Sequence, residues 1–243
     1  VKRVFSHPAM RYDLRHMLRV LVHREVALDY GQFLRAAPLE RARRFLRSRQ
    51  EKLARLEKTY GVPAELLVAV FLVETNLGAY PGRSRIAQVL ASMAASDNFV
   101  YIRPHLPPSL MEPSQVPRVK ERLSRKAQWA FEELRSLLRF ARENQLDPVA
   151  IRGSIFGAFG LCQFLPSSAE LYGVDYDGDG RVDLFKEEEA LASMANYLRA
   201  HGWRRGVDRE TQAEVLLAYN PSRPYVDTVL AIVERLEGGR ELE

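Results

Sequence analysis

Two stretches carry residue types that do chemistry. The first is Gly61 to Gly78, GVPAELLVAVFLVETNLG, an apolar run that ends on one carboxylate, Glu74. Pro63 opens it, at a helix start where the missing N–H costs nothing. Leu66, Leu67, Val70, Phe71 and Val73 leave almost no polar side, and a helix of that kind is buried. Burying an unpaired charge is expensive. An acid at the end of such a helix therefore has two explanations. It has reached solvent or an arginine partner, or an apolar pocket keeps it protonated and ready to donate a proton.

The second stretch is Asp175-Tyr176-Asp177-Gly178-Asp179-Gly180-Arg181-Val182-Asp183, which matches an EF-hand calcium loop. Asp175, Asp177 and Asp179 place side-chain oxygens at alternate positions. Gly180 makes the turn, and the carbonyl of Arg181 follows. Three carboxylates so close repel one another, and a hard cation resolves the repulsion. A solvated acidic turn would explain the charges but not their alternation with Gly180 and Val182. The usual bidentate glutamate of the twelfth position is replaced by Lys186, and Glu187, Glu188 and Glu189 can close a longer loop. A single loop of this kind, without room for a standard helix pair, implies a structural ion and not a sensor.

The elements that must position these residues are helical. Met10 to Val26 and Leu39 to Tyr60 have the period of amphipathic helices. His16 and His23 lie in the first of them without companion ligands. Ser84 stands as an N-cap for Arg85 to Ala95. Arg118 to Asn144 is the longest helical stretch, and Glu187 to His201, Arg209 to Tyr219 and Pro224 to Leu236 close the chain. Asn98 to Pro117 breaks the period with five prolines and reads as a long irregular loop. Gly153 to Ser168, GSIFGAFGLCQFLPSS, alternates glycine with apolar residues around Gln163. Small residues there allow backbone or substrate to approach closely. Strand content is small, with one short pair expected near Val174 and Val182.

The 243 residues suffice for one large or two small domains, and 47% of them are apolar. The net charge of +5 favours anionic partners, but the basic residues sit mostly on helix faces and form no nucleic-acid motif. The single cysteine, Cys162, excludes an intrachain disulfide. No stretch is long and apolar enough to span a membrane.

Taken in order, five pieces resemble the membrane-bound lytic transglycosylase B family, lysozyme-like enzymes that cut bacterial peptidoglycan. They are Gly61-Val62-Pro63 with Glu74-Thr75, Gly153 to Ser168, Asp175 to Gly180, Ala195 to Trp203, and Tyr219-Asn220. The resemblance covers roughly Thr59 to Pro224. It implies that Glu74 is the only catalytic acid. It implies that Ser154, Gln163, Tyr197, Tyr219 and Asn220 contact substrate. Asp175, Asp177, Asp179, the Arg181 carbonyl and Glu189 would hold calcium. The chain departs from the family at Asn76-Leu77, where Arg-Trp is frequent, at Leu161-Cys162, where an aromatic is common, and in the Pro-rich stretch, which replaces a shorter segment.

The expected fold is mainly α, a lysozyme-like helical core with a calcium loop and little β structure. Residues 1–58 would form an N-terminal helical segment and 59–243 the core, with 98–117 as an insertion and 175–189 as the calcium loop. The implied activity is cleavage of the β-1,4 bond between N-acetylmuramic acid and N-acetylglucosamine with closure of a 1,6-anhydro ring. It needs structural calcium and no organic cofactor. The implied partner is the peptidoglycan glycan strand, with envelope proteins as further candidates and no nucleic acid. The implied state is a monomer and the implied place the periplasm, with an outer-membrane anchor in a longer form. A hydrolase of the same fold and a non-catalytic wall-binding module are the alternatives, and product mass separates the three.

Overall fold

The computed structural model describes residues 2–23 and 29–238, and nearly all of its regular structure is helical. In chain order the helices are α1 (Lys2–Phe5), α2 (Arg15–Val22), α3 (Ala36–Ser48), α4 (Gln50–Tyr60), α5 (Ala64–Thr75), α6 (Ile86–Ala94), α7 (Phe99–Ile102), α8 (Val116–Glu143), α9 (Pro166–Tyr172), α10 (Glu187–Ala200), α11 (Arg209–Tyr219) and α12 (Arg223–Glu237). The helix expected over Met10 to Val26 is confined to α2, and its last positions, 24–26, lie outside the described residues. The chain divides into two units. Position 58, where the sequence was divided, lies within α4.

The first unit comprises Val1–His23, Gly82–Phe159 and Phe164–Leu171. Its core is the contact of α6 with α8; Ile86, Val89, Leu90 and Met93 of the one and Leu123, Ala130, Leu134 and Leu137 of the other are all buried. Met17 and Leu21 of α2 close that core. Its sheet is a two-residue pair, β1 (Ser84–Arg85) antiparallel to β2 (Arg152–Gly153), with Ser84 opposite Gly153. Among the described residues no strand forms at Val174 or Val182, where a pair was expected. Those positions flank the acidic loop, whose backbone N–H groups turn inward to side-chain oxygens and so cannot make a ladder. On its other side β2 meets the segment at Ala158 and Phe159, where a Cβ on Gly153 would lie 2.0 Å from the Ala158 carbonyl oxygen, so only glycine permits that approach. Ser84 is in a strand and not an N-cap. The Ile86 N–H that such a cap would precede goes instead to the Ile151 carbonyl, 3.1 Å away.

The Pro-rich stretch is also more regular than its composition suggests. It holds α7 and short 3-10 turns at Arg103–His105 and Pro108–Leu110. Asn98 caps α7 by accepting from the Val100 N–H at 2.9 Å. Prolines tolerated at the first positions of such turns produce this pattern, which periodicity alone cannot register.

The second unit comprises Arg24–Pro81, Gly160–Gln163 and Tyr172–Glu243. It is built around α5, whose residues Ala64 to Leu72 are all buried. A helix apolar all round must be ringed by partners, and α3, α4, α10, α12 and the 3-10 turn Tyr30–Leu34 supply them. The single helix expected over Leu39 to Tyr60 is broken at Arg49, whose backbone leaves the helical region at φ −120° and ψ 17°. The Arg49 side chain is held by both carboxylate oxygens of Glu187, at 2.8 and 3.2 Å. The break lets α3 lie on α5 while α4 lies on α10.

Candidate functional site

Glu74 occupies the last turn of α5 and is half-buried. The helix ends there abruptly, because Asn76, Leu77 and Gly78 all have positive φ, 53°, 60° and 88°. Asparagine and glycine enter that region readily, whereas for leucine it is strained. The turn is held by named bonds. Asn76 and Leu77 donate to the carbonyls of Leu72 and Phe71 at 2.9 and 3.1 Å. The Gly78 N–H donates to Thr75 Oγ1 at 3.0 Å. Thr75 Oγ1 in turn donates to the Leu161 carbonyl at 3.0 Å, which ties the acid's turn to the segment Gly160–Gln163.

The carboxylate has a defined partner. Tyr225 Oη donates to Glu74 Oε1 at 2.8 Å. Tyr225 is 1% exposed and sits in the first turn of α12, whose N-cap Ser222 accepts from the Tyr225 N–H. Burial pushes its hydroxyl well above 10, and the charge of Glu74 acts the same way, so at neutral pH it is a donor. Two hollows of about 250 Å³ each share Glu74, Val73, Gln32 and Phe33 in their walls. One is completed by Pro38, Arg41, Thr75, Asn76 and Tyr80, the other by Asp29, Tyr30, Asn220 and Tyr225. Asp29 is the one other carboxylate in these walls. Its side chain is 69% exposed and faces Arg35 at 3.7 Å.

Four of the five expected substrate residues belong to the same unit as Glu74. Asn220 shares a hollow with it. Tyr219 Oη donates to the Cys162 carbonyl at 2.6 Å, and burial pushes its hydroxyl well above 10. Tyr197 donates to the Ala218 carbonyl at 2.7 Å, stacks on His201 at 3.9 Å and meets the edge of Tyr219 at 5.0 Å; burial pushes its hydroxyl up to about 12. Gln163 gives both amide hydrogens to backbone, to Pro81 at 3.0 Å and Gly160 at 2.8 Å. Ser154 belongs to the first unit. Its Oγ accepts from Phe156 and Ala158 at 3.2 and 3.1 Å and closes a turn there. Tyr225 was missed in the sequence, and so was Arg41. The available signal for Tyr225 was Ser222-Arg223-Pro224, a helix start that places the next residue in the first turn.

Carboxylate oxygens of Asp175, Asp177 and Asp179 converge within 4.8 Å. The loop is folded around them, with Asp175 accepting from Gly178, Asp179 and Gly180 and Asp179 accepting from Arg181. Glu189, in the first turn of α10, is 1% exposed. Its Oε2 takes the Asp183 N–H, and its Oε1, with no aligned hydrogen-bond donor, faces the Lys186 ammonium at 3.0 Å. An all-oxygen set with a buried acid behind it fits a hard cation. Lys186 also reaches Asp177 at 2.8 Å and Asp179 at 3.0 Å, so its ammonium occupies the focus of the acidic groups. These carboxylates raise the Lys186 pKa, and Lys186 holds that of Asp177 down.

Comparison with known proteins agrees with this architecture. The chain is 36% identical over 157 residues, 65% of its length, to membrane-bound lytic murein transglycosylase B of Escherichia coli, and it spans 36% of that relative's length. Among solved structures it is similar to soluble lytic transglycosylase SltB1 from Pseudomonas aeruginosa, with a TM-score of 0.75, 26% identity, and coverage of 95% of this chain and 90% of that one. It is also similar to the Escherichia coli lytic transglycosylase Slt35 in complex with calcium, with a TM-score of 0.67, 25% identity, and coverage of 87% and 78%. The mainly α, lysozyme-like fold expected from the sequence is the fold found. The transglycosylase SLT domain model matches residues 23–220, and the chain belongs to that family.

Proposed function

We propose that the protein is a lytic transglycosylase that cleaves the β-1,4 MurNAc–GlcNAc bond of bacterial peptidoglycan with Glu74 as its single general acid and base. The observation that carries this reading is the Glu74 carboxyl, held at 2.8 Å by a buried tyrosine hydroxyl and open to two hollows. Protonated Glu74 would give its proton to the departing GlcNAc oxygen. The substrate's N-acetyl group stabilises the charge that builds at the anomeric carbon. The resulting carboxylate takes the proton of the muramyl C6 hydroxyl, whose oxygen bonds to the anomeric carbon and closes the 1,6-anhydro ring. Glu74 ends protonated, as it began. Because the nucleophile is part of the same sugar, it has a high effective concentration and water is not required.

Gln163, Tyr197, Tyr219, Asn220 and Ser154 are proposed substrate contacts. The bonds that Tyr219, Tyr197 and Gln163 make to backbone hold their rings and amide in place. Asp175, Asp177, Asp179, the Arg181 carbonyl and Glu189 would hold calcium, which would fasten the loop and take no part in chemistry. The proposed location is the bacterial envelope, on the periplasmic side. No helix among the described residues is long and apolar enough to cross a membrane.

A muramidase of this fold would need a carboxylate to activate water. Asp29 is the candidate the walls offer, but its exposure and its arginine neighbour favour a solvated acid. The test is digestion of insoluble peptidoglycan by wild type, Glu74→Gln and Asp29→Asn, each checked for folding, with muropeptides weighed before and after borohydride reduction. Anhydro ends are one water lighter than hydrolytic ends and resist reduction. Wild type and Asp29→Asn should both release them. Glu74→Gln should lose at least about 10⁴-fold in rate, since one group serves both proton transfers. Reducible ends from wild type would leave a hydrolase, and near-normal turnover by Glu74→Gln would leave Glu74 without a role.

A further inference from the structure

Arg41 brings a guanidinium to the wall of the hollow that holds Glu74. It lies on α3, which packs on α5, and is half-buried. Three other arginines on or beside α3 have acids. Arg43 and Arg47 face Glu40 at 3.9 and 3.4 Å, and Arg49 is held by Glu187. Among the described residues no acid pairs with Arg41. Its one hydrogen bond runs from Nη2 to the neutral Asn76 Oδ1, at 2.7 Å, and its Nε is buried without a partner. A partly desolvated guanidinium that keeps its charge and has spare donors is unfavourable by itself. It becomes favourable when a planar anion completes it through two parallel hydrogen bonds.

We infer that Arg41 is a specificity-determining residue that binds a carboxylate of the muramyl substrate. This rests on the reading of the site as a peptidoglycan cleft. The hollow is small, about 250 Å³, and Glu74 and Arg41 both line it, so the group bound by Arg41 belongs to the sugar at the scissile bond or to its substituent. Two sources have the right chemistry. One is the lactyl carboxylate, free only where the stem peptide has been removed. The other is a carboxylate of the peptide itself. Asn76 would act as a positioning residue, since its side-chain oxygen fixes one edge of the guanidinium.

The test measures binding by calorimetry in a Glu74→Gln background, where turnover does not interfere. Three soluble glycan oligomers are compared: one bearing stem peptides, one denuded with free lactyl carboxylates, and one denuded with those groups converted to carboxamides. The expected result is that one of the two carboxylate forms binds about 10–100-fold more tightly than the carboxamide, the range for a charge-assisted pair. Whichever form it is identifies the source. Arg41→Gln should remove that preference, Arg41→Lys should keep part of it, and raised salt should weaken it. Asn76→Ala should weaken that preference without removing it, because Arg41 keeps its charge and loses only the contact that orients it. Equal binding of all three oligomers by the Arg41 protein would overturn the inference, as would an equal loss on all three in Arg41→Gln. Because binding is the readout, a failure of the single-acid mechanism would show only in the product ends.

Discussion

Tyr225 donates its hydroxyl hydrogen to Glu74 across 151 residues of chain, at 2.8 Å. The bond does more than satisfy a buried hydroxyl. It engages Oε1 and restrains the carboxyl that, in the proposed reaction, exchanges protons with substrate. Tyr225→Phe keeps the ring, including its edge contact with Tyr30 at 5.9 Å, and removes only the donor. A hydrogen bond to a charged group contributes about 1.5–3 kcal/mol, so turnover should fall about 10–100-fold with substrate affinity little changed. Rates of muropeptide release over a range of glycan concentrations check this. A change confined to affinity would place Tyr225 outside the proton-transfer step.

Two glycines of the second unit separate packing from backbone strain. Gly160 has φ +75°, and a Cβ there would lie 2.6 Å from Leu184 Cβ. Gly180 has φ +83°, and a Cβ there would meet nothing within 4 Å. Gly160→Ala should therefore destabilise by about 2–4 kcal/mol, from strain and overpacking together. Gly180→Ala should cost about 1–2 kcal/mol, from strain alone. Denaturant unfolding in the presence of a chelator measures both without interference from bound metal. Equal losses would mean that Leu184 moves aside at little cost.

What could be read in the sequence follows from how far each interaction reaches along the chain. The apolar run from Leu66 to Phe71 announces a buried helix because burial is written in residue type. The acidic loop announces itself because its contacts span a few residues. The break at Arg49 depends on Glu187, the pairing of Ser84 depends on Gly153, and the hold on Glu74 depends on Tyr225. Each partner lies far away in sequence and leaves no local period. Arg41 is the clearest instance. On α3 it is one arginine among many, and only the fold shows that among the described residues no acid pairs with it and that it lines the hollow of Glu74.

The first unit should weaken in mild acid. His16 is buried on α2, its Nδ1 has no hydrogen-bond partner among the described residues, and burial pushes its pKa below the ordinary 6.5. Asp13, 3.9 Å away, opposes that shift, while Arg19 and Arg15 support it. The unfolded chain binds the proton more readily than the folded one. This contribution is therefore complete above pH 6.5 and is lost as pH falls below it, through the depressed folded value. Asp13 adds a second loss at lower pH. Its hydrogen bonds from the Arg15 guanidinium hold it at about 2, so its contribution is present above 3.8 and disappears as pH falls through 2. Melting temperature should decline from pH 6.5 to 5, and His16→Leu should flatten that segment while leaving the decline below 3.8. An unchanged slope between 6.5 and 5 would assign it to other groups.

Lys186 and calcium would compete for the same oxygens. The ammonium lies 2.8 to 3.0 Å from Asp177, Asp179 and Glu189, three of the proposed ligands, and a cation cannot take those oxygens while it stays. Its presence relieves the repulsion among the carboxylates, which is the service calcium would render. Lys186→Met should have two opposite effects. In chelator the melting temperature should fall, because the loop loses its internal cation. Calcium should bind about tenfold more tightly, because three partly exposed ion pairs no longer have to be broken first. The gain in stability on adding calcium should grow accordingly, following its concentration relative to the dissociation constant. The effect should extend beyond the loop. The Leu184 carbonyl accepts from the Leu161 N–H at 2.8 Å, and the Leu161 carbonyl accepts from Thr75 beside Glu74. Calorimetric titration and melting curves with calcium or chelator, on wild type and Lys186→Met, give both numbers. Equal calcium affinity in the two proteins would show that the ammonium leaves without cost, and a melting temperature indifferent to calcium in both would remove the metal from the loop.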